Sequence, residues 1–206
     1  MYALITDFDG TVTTFDISHA IMRHFHAAKF EGEPAHADDD DAKSWMRRHM
    51  GALRVTKKEF DDFVADTAVA RDGLLPMLQK CFEKNIPVEI VSGGVDIYIK
   101  PFLLRNRIEG IPIFCANGVF TPDGIKVEYP LLDGIKLEDF KASRVRRFKE
   151  QGYTTIFCGD GMTDLPAVLA ADIPFACSHL LEYCKKKKIA VNELKSFDAV
   201  RKIIGA

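Results

Sequence analysis

The chain lacks a long apolar run, a dominant charge and any patterned set of cysteines or histidines, and each absence closes a class of function. Twenty-eight basic side chains against thirty acidic ones leave a net charge of −2 over 206 residues. That is too little to draw the chain to nucleic acid or to an anionic membrane. No stretch approaches the roughly 20 apolar residues of a bilayer span, and no secretory core or transit-like N-terminus is expected. The five cysteines (Cys81, Cys115, Cys158, Cys177, Cys184) are scattered, odd in number and without metal-ligand spacing. Several sit in apolar segments, where a buried free thiol is the ordinary reading, and a reducing cytoplasm follows from it. His24 and His26 bracket Phe25 at a spacing that puts them on different helical faces, and His19, His36, His49 and His179 stand alone, so nothing asks for zinc. Trp45, the single tryptophan, lies near Met46 and Met50 and reads as core. Lys185 to Lys188, the one basic run, reads as a solvated helix end. Nothing bears on oligomeric state.

What is present is acidic and sits at strand ends. Tyr2-Ala3-Leu4-Ile5 is a buried-strand run that delivers Asp7-Phe8-Asp9-Gly10-Thr11. An extended backbone points residues two apart to one side, and Gly10 frees the chain to turn. Two such acids suit an aspartyl nucleophile beside a proton-transfer acid; an ordinary Asp-Gly turn is the bland alternative. Ile86 to Val91 reads as a strand ending in Ser92-Gly93-Gly94, ahead of a helical stretch from Val95 to Arg107. A hydroxyl and glycine amides there make an anion pocket, or merely a helix cap. Tyr153 to Cys158 is another strand, ending in Gly159-Asp160-Gly161-Met162-Thr163-Asp164. Its two acids fit a hard oxygen site for Mg²⁺, or a solvated loop with an N-cap. Lys141 opens a helical segment that runs to Gln151, with Gly152 as its stop.

With 47% hydrophobic residues the chain can build one sizeable domain plus a smaller insertion. Residues 1–13 and 73–206 alternate strands and helices as a parallel sheet requires. Residues 14–72 are helical: Ile17, Ala20, Ile21, Phe25 and Ala28 form one face, and Thr56-Lys57-Lys58-Glu59 is a capping box ahead of Phe60, Phe63, Val64, Thr67 and Ala68. Between the two, Glu31 to Asp41 is a polar stretch with four consecutive aspartates, read as a loop or helix start. Ile111 to Cys115 reads as a strand and Phe120 to Val127 as a hairpin turning at Pro122-Asp123-Gly124. Ile173 to Cys177, a helix through Cys184, Ile189-Ala190-Val191 and a last helix near Phe197 to Ile204 complete the alternation.

Taken in order, the acid pair, the serine, the lysine and the second acid pair would converge outside the carboxyl ends of a parallel sheet. This ordered set, Asp7 to Thr11, Ser92, Lys141 and Gly159-Asp160 through Asp164, resembles the haloacid dehalogenase superfamily in its phosphatase branch. The resemblance implies an α/β fold: a Rossmann-like parallel sheet core with a small helical cap inserted after the first strand and a short β-hairpin excursion. It also implies roles. Asp7 would attack phosphorus, and Asp9 would protonate the leaving group and then activate water. Asp7, the Asp9 carbonyl and Asp160, with Asp164 beside them, would hold Mg²⁺. Phe8 and Gly93 through their amides, with Ser92 and Lys141, would hold the phosphoryl oxygens. The partner implied is a small phosphate monoester.

Two branches of that superfamily are similar. In phosphoserine phosphatases a glutamate nine residues past the nucleophile contacts the substrate amine; that position is Asp16 here, and Arg47, Arg48 or Arg54 would have to supply a carboxylate clamp. The methionine-salvage 2-hydroxy-3-keto-5-methylthiopentenyl-1-phosphate phosphatases are matched more widely: over Asp7 to Phe25 including Asp16, Ser92 to Asp96, Pro101 to Leu104, and Leu180 to Cys184. Asp16 is accordingly a candidate for substrate specificity. A phosphomutase or a non-catalytic phosphate- and Mg²⁺-binding protein is the alternative from another class.

Overall fold

The apolar run after Met1 forms β1 (Tyr2–Thr6). Leu4 faces one half of the core while Ala3 and Ile5 face the other, because successive side chains leave a strand on opposite sides. In the computed structural model, residues 1–25 and 42–205 are described; Ala28, His26, His36 and the acidic stretch from Glu31 to Asp41 lie outside them.

Among the described residues the helices that follow β1 are α1 (Ile17–His24), α2 (Ala42–Gly51) and α3 (Lys57–Thr67). The capping box at Thr56 is formed, with Thr56 Oγ1 accepting from the Glu59 amide and Glu59 Oε2 accepting from the Thr56 amide. Ile17 and Ile21 of α1 and Phe60 and Val64 of α3 are buried, each such side chain contributing about 1.5–3 kcal/mol. The chain leaves and re-enters the sheet through one narrow neck, where Thr13 bridges Ala70 and the Thr14 amide donates to the Val69 carbonyl.

Beyond the neck come α4 (Leu74–Glu83), β2 (Val88–Val95), α5 (Asp96–Arg105), β3 (Ile113–Thr121) and β4 (Gly124–Glu128). After them run α6 (Leu137–Glu150), β5 (Thr154–Gly159), a single 3₁₀ turn (Met162–Asp164), α7 (Leu165–Ala170), β6 (Ile173–Ala176), α8 (Ser178–Lys187), β7 (Asn192–Glu193) and α9 (Asp198–Gly205). The strands form one seven-stranded sheet, order β4-β3-β2-β1-β5-β6-β7, parallel except for the β3–β4 pair. Both faces are covered, so the central strands are largely apolar, and the polar residues they bury, such as Glu89, are paired. Among the described residues no helix is long and apolar enough to cross a membrane, and all five cysteines are free thiols.

Four elements differ from the sequence reading. β2 does not stop before Ser92 but runs on to Val95, its register against β3 shifting between Val91 and Val95; paired glycines permit that irregularity. One strand, β3, does the work of two, pairing with β2 at its start and with β4 at its end. α6 begins four residues before Lys141, with Glu138 and Asp139 in its first turn, where acids are favoured. β7 lies at Asn192–Glu193 rather than at Ile189 to Val191, since the Ile189 amide closes the end of α8 on the Cys184 carbonyl.

Candidate active site

Thr6, the last residue of β1, lies opposite Ile90 of β2 on one side and Cys158 of β5 on the other. Asp7 follows Thr6 directly, while Ser92 and Asp160 each lie two residues past those partners. β1 is where the strand order reverses direction, which is where open α/β sheets leave a crevice. Topology therefore brings Asp7, Ser92 and Asp160 to one rim.

Lys141 reaches that rim from the second turn of α6. Its ammonium donates to Asp7 Oδ1 at 2.9 Å and to Asp164 Oδ1 at 2.6 Å, with Thr163 Oγ1 at 3.5 Å. Lys141 is 1% exposed, Asp7 5% and Asp164 0%, so these ion pairs are shielded from water and salt. Asp164 Oδ2 turns back to accept from the amides of Asp160 and Gly161 at 3.0 and 3.1 Å, which sets the loop that carries Asp160. Oxygens of Asp7, Asp160 and Asp164 lie within 4.8 Å of one another. Gly10 (φ +69°) makes the turn after the acid pair, and a Cβ there would stand 2.1 Å from Asp160 Oδ2. A glycine is required on both counts.

Asp9 points elsewhere. Its Oδ1 accepts from the Ile17 amide at 3.0 Å, at the start of α1, and its Oδ2 accepts from the Tyr98 hydroxyl at 2.6 Å. Ser92 Oγ accepts from the Gly94 amide at 3.0 Å, the Gly93 carbonyl accepts from Tyr129, and Phe8 is fully buried beneath the turn against Tyr98 and Phe102. Asp16 caps α1: its Oδ1 accepts from the His19 amide and the Ser18 hydroxyl, and its Oδ2 lies 3.5 Å from His19 Nδ1. Arg47 donates to the Val127 carbonyl and Arg54 to the Gly51 carbonyl, so both guanidiniums already have backbone partners.

Burial pushes Asp7 up to about 7, the attraction of Lys141 opposing it and Asp164 adding to it. Asp9 is raised well above the carboxylate range, first by burial, then by the charge of Asp16, against the Tyr98 hydrogen bond. Asp160 is raised by desolvation and then by Asp7 and Asp164. Burial alone would lower Lys141, but Asp164 and Asp7 outweigh it and raise it. One lysine set against three close carboxylates leaves an excess of negative charge, and an oxygen-lined, anionic pocket of this kind fits a hard divalent cation.

Three contributors escaped the sequence reading. Tyr98 is one aromatic in an apolar helix, and only its place six residues past Ser92 hinted at the rim. Arg71 donates to the carbonyls of Gly10 and Thr11 at 2.5 and 2.7 Å, holding the turn after the acid pair from the far side of the neck. Tyr129 comes from a stretch with no regular pattern.

The haloacid dehalogenase-like hydrolase family matches residues 4–168. The 2-hydroxy-3-keto-5-methylthiopentenyl-1-phosphate phosphatase of Geobacillus thermodenitrificans is 31% identical over 191 residues, covering 89% of this chain and 86% of that protein. The bifunctional enzyme MtnB/MtnX of Bacillus licheniformis is 29% identical over 98% of this chain, which spans 48% of that enzyme's length. In three dimensions a substrate-bound phosphoserine phosphatase superposes with a TM-score of 0.74 at 17% identity, covering 100% of this chain and 98% of that one.

Proposed function

Because the chain belongs to the haloacid dehalogenase-like hydrolase family and is a phosphoric monoester hydrolase, we propose that Asp7 is its nucleophile and Asp9 its proton-transfer acid and base. The observation that carries this is the buried Lys141 bridge between Asp7 and Asp164, with Asp9 held apart from it two residues on. Asp7 attacks phosphorus and the P–O bond to the substrate alcohol breaks, the alcohol taking its proton from Asp9. Asp9, now a carboxylate, removes a proton from water, which attacks the aspartyl phosphate and releases inorganic phosphate with Asp7 restored. Ser92, Lys141 and the amides of Phe8 and Gly93 receive the phosphoryl oxygens. Asp7, the Asp9 carbonyl and Asp160, with Asp164 beside them, would hold Mg²⁺, which when bound offsets the repulsion between the attacking carboxylate and a dianionic phosphate. Helices α1 to α3, within residues 14–72, act as a small cap over the crevice, turning on the neck at Thr13 and Ala70.

The substrate proposed is the methionine-salvage enol phosphate, in a cytoplasmic enzyme. Its support is that relatives at 29–31% identity over most of this chain carry that name. Phosphoserine has less behind it, since Arg47 and Arg54 are engaged with backbone carbonyls. The test is Mg²⁺-dependent phosphate release from a panel of monoesters: the enol phosphate, phosphoserine and several sugar phosphates, with Asp7→Asn as control. One substrate far ahead in kcat/KM and lost in the control supports the reading. Activity retained by Asp7→Asn sinks the nucleophile assignment, and phosphate passed between sugar hydroxyls rather than to water reveals a mutase.

A further inference from the structure

Asp9 is gripped from two directions by parts of the chain far apart in sequence. On one side is a backbone amide at the start of α1; on the other is the hydroxyl of Tyr98, in the first turn of α5. Tyr98 is fully buried, and its ring packs against Phe8, with centroids 6.2 Å apart, beneath the turn that presents both aspartates. The fold leaves room for this hydrogen bond: a Cβ on Gly94 would stand 2.1 Å from the Tyr98 hydroxyl and 2.6 Å from Asp9 Oδ2. A carboxylate offers about four lone-pair sites. The two grips use one on each oxygen, which fixes the rotation of the group and leaves a lone pair on each for the transferred proton.

We propose that Tyr98 is a positioning residue for proton transfer, holding the Asp9 carboxyl in the one rotation from which it can reach the leaving-group oxygen. The inference rests on Asp9 being the proton-transfer group. The rival is purely structural: a buried tyrosine hydroxyl needs a partner, and Asp9 happens to be near. The two differ in which substrates suffer. Phosphoryl transfer to Asp7 needs a proton donor when the leaving group is an alkoxide, and hardly any when it is p-nitrophenolate. A misplaced Asp9 therefore harms alkyl phosphates selectively, whereas general loosening of the core harms both alike.

The measurement is kcat/KM of Tyr98→Phe with Mg²⁺ for an alkyl phosphate and for p-nitrophenyl phosphate, since that ratio covers the steps up to the first P–O cleavage. The alkyl ester should fall about tenfold or more, within the range a general acid contributes, and the aryl ester much less. The inhibition constant of inorganic phosphate should be unchanged, because the phosphoryl-binding groups are untouched. Tyr98→Met, which removes the hydroxyl, refills the ring's apolar site with a flexible side chain and touches neither Gly94 nor Asp9, should give the same selective loss should the phenylalanine variant not fold. Equal losses on both esters, or none, in whichever variant folds would overturn the proposal. Asp9→Asn separates this failure from that of the underlying reading. If Asp9→Asn shows the alkyl-selective loss and Tyr98→Phe does not, Tyr98 is structural. If Asp9→Asn shows no selectivity, Asp9 is not the proton donor. In the double variant the alkyl loss should be no larger than in Asp9→Asn alone, as for two residues acting through one group.

Discussion

The two acid pairs read alike in the sequence and are built differently. In the first, Asp7 and Asp9 divide: Asp7 meets Lys141, while Asp9 turns away to the Ile17 amide and Tyr98. In the second, Asp164 is wholly internal, one oxygen on Lys141 and the other on the amides of its own loop, while Asp160 is left facing the cradle at Gly10. Each pair therefore contains one member fixed by protein groups at both oxygens and one left open to the crevice. Asp7 and Asp160 are the open members. Spacing gives the number of carboxylates, and the hydrogen bonds decide which are held in one rotation at both oxygens and which keep an oxygen turned to the crevice.

The largest expected effect sets Asp7 against every other acid. Asp7→Asn should lower phosphate release by on the order of 10⁴-fold or more, the scale at which a covalent nucleophile is lost. The circular dichroism spectrum should be unchanged. Asp164→Ala should fail differently, since it strips a buried lysine of one partner and two loop amides of their acceptor. Urea unfolding should show about 3–5 kcal/mol of lost stability. A Asp164→Ala protein as stable as the parent would mean that Asp164 is not what holds the loop.

Asp160 should behave in the opposite sense. Its raised pKa, like that of Asp7, means that the metal-free native state holds protons the unfolded chain has released. For Asp7 the window runs from the ordinary 3.8 up to about 7. Because the native state binds more protons in that window, stability of the metal-free protein should fall as pH rises through it. A divalent cation relieves the same repulsion, so chelation should lower the melting temperature more at pH 8 than at pH 5. Asp160→Asn should melt higher than the parent in chelator and lose most of the Mg²⁺-induced rise. A pH-independent metal effect would break the link between the acid cluster and the cation.

How much of this was legible in the sequence follows from the range of each interaction. Strand ends and glycines are local signals, so Asp7, Ser92 and Asp160 could be put on one rim from the sequence, and the capping box at Thr56 could be read letter by letter. Lys141 was found by its order in the set, but its place in the second turn of α6 was not, because the turn before it holds two acids rather than an apolar stripe. Tyr98 and Arg71 act across 89 and 60 or 61 residues of sequence, and no periodicity encodes such a pairing. The course of β2 through Ser92-Gly93-Gly94 was missed for a related reason. Glycine argues against a strand locally, and only pairing with β3 overrides it.

The smallest effect falls on Asp16, which sits between the two readings given to it. As the N-cap of α1 it should be worth about 1 kcal/mol, and Asp16→Asn should keep most of that because asparagine caps as well as aspartate. As a specificity residue it acts through its charge, which asparagine removes. Asp16→Asn and Asp16→Ala should therefore separate in melting temperature yet agree in substrate preference, both shifting the ranking of the monoester panel while sparing p-nitrophenyl phosphate. If preference tracks the melting temperature instead, with only alanine altering it, the cap is the whole of its role. The charge of Asp16 would then belong to folding rather than to recognition.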